Sequence, residues 1–370
     1  MKKVSGLIRS FWTISVLSLG TWSPSTLASS DPEELPDGWR EIKPGGETTC
    51  ARGDEFSFFV SPGSTNKIVI DFIGGGACWN AQTCDRGTAT FTDSVDSLRE
   101  RQRQGLEGIY DRSRNDNPLK DWTHVVIPYC TGDIHWGSNE VTYTRPNGST
   151  FNIHHKGAVN AKAVLDWVGE NVSNPEKVFV TGCSAGSYGS VYWTPHIREM
   201  YPDSPMIQMG DAGAGVVTGR FFEESFPLWN ATQAAPRWIP ELNPDVVDWS
   251  QLDIVDLYKH VGAYYPSMIL GQYTNAFDTN QTFYYEIMGG MPENWSPVMY
   301  QNLENIHQTT SNFRSFVAPG SDHCVIPYER FYSVTSSGVP FSSWFEGFIS
   351  DAASLESVNC TDCDPDGVGG

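Results

Sequence analysis

Ser184 stands between two glycines at the end of an apolar run. Residues 178–181, Val-Phe-Val-Thr, lead into Gly182-Cys183-Ser184-Ala185-Gly186, and a helix-forming stretch follows over 188–200. Strand, sharp turn and helix with this spacing lift a serine hydroxyl to the edge of a sheet and aim the next backbone N–H, that of Ala185, at an oxygen that turns negative during acyl transfer. Glycine is required two residues before and two after the serine, because the turn is strained and strand and helix backbones pack closely. A serine hydroxyl is a weak nucleophile at neutral pH and needs an adjacent base, itself oriented by a carboxylate.

His323 fits the base best, since it follows a strand candidate at 313–318 near the C-terminus. His124, His135, His154, His155 and His196 come too early for the order serine, acid, histidine, and His260 and His307 lie in helix-like or irregular polar surroundings. Asp278 follows a strand candidate at 267–274 and falls between serine and histidine. Its rivals are Asp211, Asp253, Asp256 and Asp322. Further donors for the oxyanion are expected from Gly74-Gly75-Gly76, a turn after the strand candidate at 67–73, where no side chain keeps a tetrahedral oxygen away. Cys183 precedes Ser184 and Cys324 follows His323, so a Cys183–Cys324 disulfide is expected if serine and histidine meet.

The elements that must position these groups follow from hydrophobic patterning. Short apolar strands at 56–60, 67–73, 122–129, 178–181, 206–209, 267–274 and 313–318 alternate with helical stretches such as 157–168. That alternation predicts an α/β fold with a mainly parallel central sheet flanked by helices. Residues 94–117 read as a charged helix or excursion, and about 221–260, aromatic and proline-bearing, as an insertion forming a lid. The domain reading is a leader at 1–28, a catalytic domain at 29–355 and a Cys/Gly-rich tail at 356–370.

Met1-Lys2-Lys3 with Arg9, a modestly apolar stretch at 7–19, and Thr26-Leu27-Ala28 read as a secretory signal peptide. No later run is long enough to span a bilayer, so a soluble, exported (secreted or periplasmic) protein is expected. The formal net charge of −20 argues against nucleic acid or an anionic membrane as partner. Eight cysteines in an exported chain predict disulfides, and proximity pairs Cys78 with Cys84 and Cys360 with Cys363, leaving Cys50 and Cys130 unassigned. Cys360-x-x-Cys363 has no further ligands nearby for zinc, so no metal is expected. The glycine turn lacks a Walker lysine, so no nucleotide is expected. Asn147, Asn171, Asn230, Asn280, Asn294 and Asn359 head Asn-x-Ser/Thr sequons, which matter only in a eukaryotic host.

Five stretches in order, Gly74-Gly75-Gly76-Ala77-Cys78-Trp79-Asn80, Val126-Ile127-Pro128-Tyr129-Cys130-Thr131-Gly132-Asp133, Gly182-Cys183-Ser184-Ala185-Gly186-Ser187, Asn275-Ala276-Phe277-Asp278 and Asp322-His323-Cys324, resemble the pectin acetylesterase/Notum family of secreted serine esterases. The resemblance implies an α/β-hydrolase fold without cofactor, with Ser184 as nucleophile, Asp278 as acid, His323 as base, and Gly75, Gly76 and Ala185 as oxyanion donors. Family members remove acyl groups from pectin or, in the Notum branch, a fatty acyl group from a protein. Two departures stand out. Gly76 replaces an aromatic found in Notum, so the acyl preference does not transfer, and Ser187 stands where a third glycine is usual. The cysteines beside Ser184 and His323 also resemble tannase and feruloyl esterase, although the rest of the chain does not. A monomeric carboxylic ester hydrolase acting on short acyl groups of a polysaccharide such as pectin is the resulting expectation. A polyester depolymerase or lipase with the same triad, and a non-catalytic binding protein on this scaffold, are the alternatives.

Overall fold

The computed structural model describes residues 33–34, 38–104, 106–351, 354–360 and 363–367; the expected leader at 1–28 lies outside them. The strands are β1 (Glu33–Glu34), β2 (Arg40–Ile42), β3 (Phe58–Ser61), β4 (Lys67–Phe72), β5 (Thr123–Ile127), β6 (Asn139–Thr144), β7 (Thr150–His155), β8 (Lys177–Cys183), β9 (Met206–Asp211), β10 (Ile269–Asn275), β11 (Phe313–Ala318), β12 (Thr335–Ser336) and β13 (Val339–Pro340). The helices are α1 (Ala81–Cys84), α2 (Asp96–Gln104), α3 (Gly157–Asn171), α4 (Ala185–Met200), α5 (Gly219–Trp229), α6 (Ile254–Tyr264), α7 (Thr279–Ile287), α8 (Trp295–Thr309) and α9 (Phe341–Asp351).

Nine strands form one sheet in the order β1-β2-β3-β5-β4-β8-β9-β10-β11. From β5 to β11 every pairing is parallel, whereas β1, β2 and β3 add antiparallel at one edge. The parallel strands are apolar without polar alternation because both faces are covered. Alternate side chains serve opposite layers. Ile68, Ile70, Val178 and Val180 pack with α3, α4, α6 and α8. Val69, Val126 and Phe179 pack with Phe341, Trp344, Phe345 and Phe348 of α9.

From β4 the chain steps to β5 on one side, then crosses through α3 to β8 on the other. The carboxyl ends of β4 and β8 therefore flank a topological switch point, the usual place for a site in a parallel sheet. Phe72 pairs with Gly182, and Cys183 with Asp211, which brings the glycine turn, Ser184 and the end of β9 together.

Residues 221–260 carry α5, two 3-10 turns and the start of α6. Most of their aromatics face inward: Phe221, Phe222, Phe226, Trp229 and Trp249 are buried, whereas Trp238 is exposed. Trp136 stacks on Tyr192 at 4.6 Å between centroids and meets Phe226 at 5.5 Å. The end of the chain is not separate from the sheet. Val358 pairs with Phe316 and exchanges backbone hydrogen bonds with Ser315 and Val317, extending the sheet beyond β11. Among the described residues no helix is long and apolar enough to cross a membrane.

Candidate active site

Ser184 joins β8 to α4 with φ 59° and ψ −123°, a conformation that costs a non-glycine residue about 1–3 kcal/mol. The fold holds it there from both sides. Its N–H donates to the Asp211 carbonyl at 2.7 Å, and its own carbonyl accepts from Ser187 N at 2.9 Å. A Cβ on Gly186 would overlap the Phe72 carbonyl, and one on Gly182 the Gly186 carbonyl, so neither position admits a side chain. Gly74 is equally constrained, since its Cβ would lie 2.8 Å from that of Ser184. Ala185 opens α4, and the first N–H groups of a helix have no partner within it.

Asp278 follows β10, is fully buried and caps α7. Its Oδ1 accepts from Asn280 N at 3.0 Å and Gln281 N at 2.9 Å, and its Oδ2 from Gln281 Nε2 at 2.9 Å. His323 Nδ1 lies 2.8 Å from Oδ2 and 3.0 Å from Oδ1. With Nδ1–H donating to the carboxylate, Nε2 is left as the acceptor. Nε2 is buried and has no hydrogen-bond partner. It belongs to a ring that shares two cavities with Ser184.

The loop carrying His323 is pinned along its length. Cys324 is bonded to Cys183, with 5.8 Å between their Cα atoms. A ring nitrogen of His323 and both sulfurs lie within 4.8 Å of one another. Arg330 Nε donates to the Cys324 carbonyl at 2.8 Å, and its Nη2 to the His323 carbonyl. Asp211 Oδ2 accepts from Val325 N and Ile326 N, each at 2.8 Å. Burial pushes the Asp211 carboxyl up to about 7. The remaining cysteines pair as Cys50–Cys130, Cys78–Cys84 and Cys360–Cys363.

Gly74, Gly75 and Gly76 line the more open of the two cavities, and the turn is braced from below. Thr92 N donates to the Gly75 carbonyl at 2.8 Å, and Gly76 pairs with Phe91. His135 supports the preceding residue through an Nε2 contact of 2.8 Å to the Ile73 carbonyl, and its burial lowers the imidazole to about 4.

The other expected acids do different work. Asp253 caps α6 through the Asp256 N–H at 2.8 Å, and Asp322 is exposed, 3.6 Å from Arg330. Asp211, weighed only as a rival acid, ties Ser184 to the histidine loop. Tyr284 and Met288 of the site wall escaped sequence reasoning, because helical spacing around residue 284 gives no sign of what the helix faces. The one available signal was the spacing from Asp278, six residues or under two turns to Tyr284.

A serine on a strained turn, a partly buried imidazole held by a carboxylate, and backbone donors beside them form a constellation suited to acyl transfer. The fold is of the Notum-like α/β type. The crystal structure of the Wnt deacylase Notum from Drosophila superposes with a TM-score of 0.62 at 16% identity, covering 90% of this chain and 97% of that one. The family model described as Pectinacetylesterase matches residues 43–222. Pectin acetylesterase 11 of Arabidopsis thaliana is 22% identical over 218 residues, 55% of this chain and 54% of its own length. The palmitoleoyl-protein carboxylesterase NOTUM of Schmidtea mediterranea is 30% identical over 146 residues, 38% of this chain and 26% of its own. The chain is thus similar to the pectin acetylesterase/Notum family, whose model matches just under half of it. It spans about half the length of the pectin acetylesterases that it matches.

Proposed function

We propose that the protein is an exported carboxylic ester hydrolase that removes acetyl or other short acyl groups from a polysaccharide such as pectin. Ser184 Oγ attacks the ester carbonyl as His323 Nε2 takes its proton. The N–H groups of Gly75, Gly76 and Ala185 receive the oxyanion, each such donor being worth about 10²–10³ in rate. His323 returns the proton to the leaving alcohol, then activates a water that releases the acyl group from Ser184. Asp278 fixes the tautomer and stabilises the imidazolium.

The observation that carries this reading is the buried, unpartnered Nε2 of His323, on a ring whose other nitrogen is bound by Asp278 and which shares its cavities with Ser184. Export is supported by the four disulfides, which belong to an oxidising compartment. The inward-facing aromatics of residues 221–260 build the cavity wall and core instead of an exposed surface, which favours a small acyl group over a polymer gripped from outside. Replacing Ser184 with Ala is expected to abolish hydrolysis of p-nitrophenyl acetate and labelling by a fluorophosphonate while the melting temperature holds. Substantial activity in that variant would refute the reading.

A further inference from the structure

Two cavities meet at Ser184, and four residues line both: Gly76, Ser184, Tyr284 and His323. One cavity is apolar, walled by Val216, Val217, Phe221, Phe222 and Ile254, and has a volume of about 40 Å³. The other is open, about 430 Å³, and is bordered by the glycine turn, Thr90, Thr92, Asn280 and Tyr328. An ester has two arms, so one cavity suits the acyl chain and the other the alcohol.

Of the four shared residues, Gly76 has no side chain, and Ser184 and His323 carry the chemistry. The wall between the cavities therefore falls to Tyr284. Its ring fills the room that a side chain at position 76 would take, since a Cβ on Gly76 would overlap the Tyr284 hydroxyl. Gly76 also has φ +76°, which disfavours any other residue. The ring is anchored at both ends. Its backbone sits in α7, the helix that Asp278 caps, and its hydroxyl donates to the Thr90 carbonyl, next to the Phe91 that pairs with Gly76.

We propose that Tyr284 is a specificity-determining residue that closes the acyl cavity toward the second one, so that the enzyme takes short acyl groups and rejects long chains. The inference rests on the ester-hydrolase reading and adds to it the side of the serine on which the acyl group lies and the group that limits its length.

The test compares kcat/KM for p-nitrophenyl acetate, butyrate and octanoate in the wild type, Tyr284→Ala, Tyr284→Val and Tyr284→Phe, with active sites counted by fluorophosphonate labelling. Wild type is expected to favour butyrate over octanoate by about tenfold or more. Removing the ring is expected to raise the octanoate-to-acetate ratio about 10–200-fold, the range that methylene-sized changes produce in an apolar pocket. Tyr284→Phe keeps the ring and should keep the wild-type ratio. Equal use of octanoate and butyrate by the wild type overturns the proposal whatever the variants do, as does an unchanged ratio in Tyr284→Ala or Tyr284→Val. A wild type that hydrolyses none of the esters and resists labelling overturns the hydrolase reading as well, so the two failures are told apart.

Discussion

Replacing Asp211 should reveal how the site is held together, and the two informative variants differ in what they leave behind. Asp211 Oδ2 accepts two N–H groups from the loop just past His323, and its Oδ1 is buried without a partner. Asp211→Ala strands both N–H groups; at about 1–3 kcal/mol for each unmet buried donor, the loss is roughly 2–6 kcal/mol. Asp211→Asn keeps an oxygen for both donors and removes only the titration. Burial raises the folded carboxyl to about 7, whereas an unfolded Asp titrates near 3.9. Between these values the folded chain holds a proton that the unfolded chain has lost. Wild-type stability from this group is thus complete below about pH 4 and is lost as pH rises through 7. At about 1.4 kcal/mol per pH unit, the stability of Asp211→Asn relative to wild type should rise by roughly 4 kcal/mol across that window. Buried His124, His135 and His155, with imidazoles lowered to about 4, 4 and 3, oppose this trend in both proteins by losing stability as pH falls. Only the difference between variant and wild type isolates Asp211. Urea unfolding followed by tryptophan fluorescence at pH 4, 5.5 and 7.5 measures it, and a difference that stays constant with pH would refute the reasoning.

Asp278→Asn should separate the two jobs of that side chain. Asparagine caps helices about as well as aspartate, so thermal melts should shift little, while kcat falls on the order of 10⁴-fold as the histidine loses its required tautomer. Replacing Cys183 and Cys324 together by Ser opens a loop with a sequence separation of 141 and should lower stability by roughly 5 kcal/mol on chain-entropy grounds. An unchanged melting temperature in that double variant would show that the link does not hold the loops.

The parallel strands were legible because their apolar runs are short, β-branched and bounded by glycine and polar loops. The expected strand at 313–318 matches β11 to the residue, and 67–73 and 206–209 differ from β4 and β9 by one or two positions. Helix α4 begins at Ala185, three residues before the helical pattern suggested, because the elbow itself forms the first turn. The β6–β7 hairpin was not read at all. Its strands carry few buried residues, Tyr143, Ile153 and His155 among them, and they cover the Cys78–Cys84 link instead of joining the sheet. Site residues that sit on turns left a signature in glycine, serine and cysteine spacing. Asp211 and Tyr284 did not, since what matters in them is the neighbour they meet across the fold.

The arrangement explains how a strained serine can be kept in place. Four loop ends, those of β8, β9, β10 and β11, meet around Ser184 and His323, and each is tied to another by a disulfide or by hydrogen bonds. The disulfide joins the end of β8 to the loop after β11. Asp211, at the end of β9, reaches both: its carbonyl holds Ser184, and its carboxyl holds Val325 and Ile326. Asp278, after β10, holds the imidazole on that same loop. Releasing any one tie leaves the remaining loops connected, so the strain at Ser184 is over-determined, as a conformation costing about 1–3 kcal/mol requires. Tyr284 extends the same logic to specificity. It hangs from the helix that Asp278 caps and closes against the loop that braces Gly76. On the proposed reading, a shift of that helix would disturb Asp278 and Tyr284 together, linking the choice of acyl group to the orientation of His323.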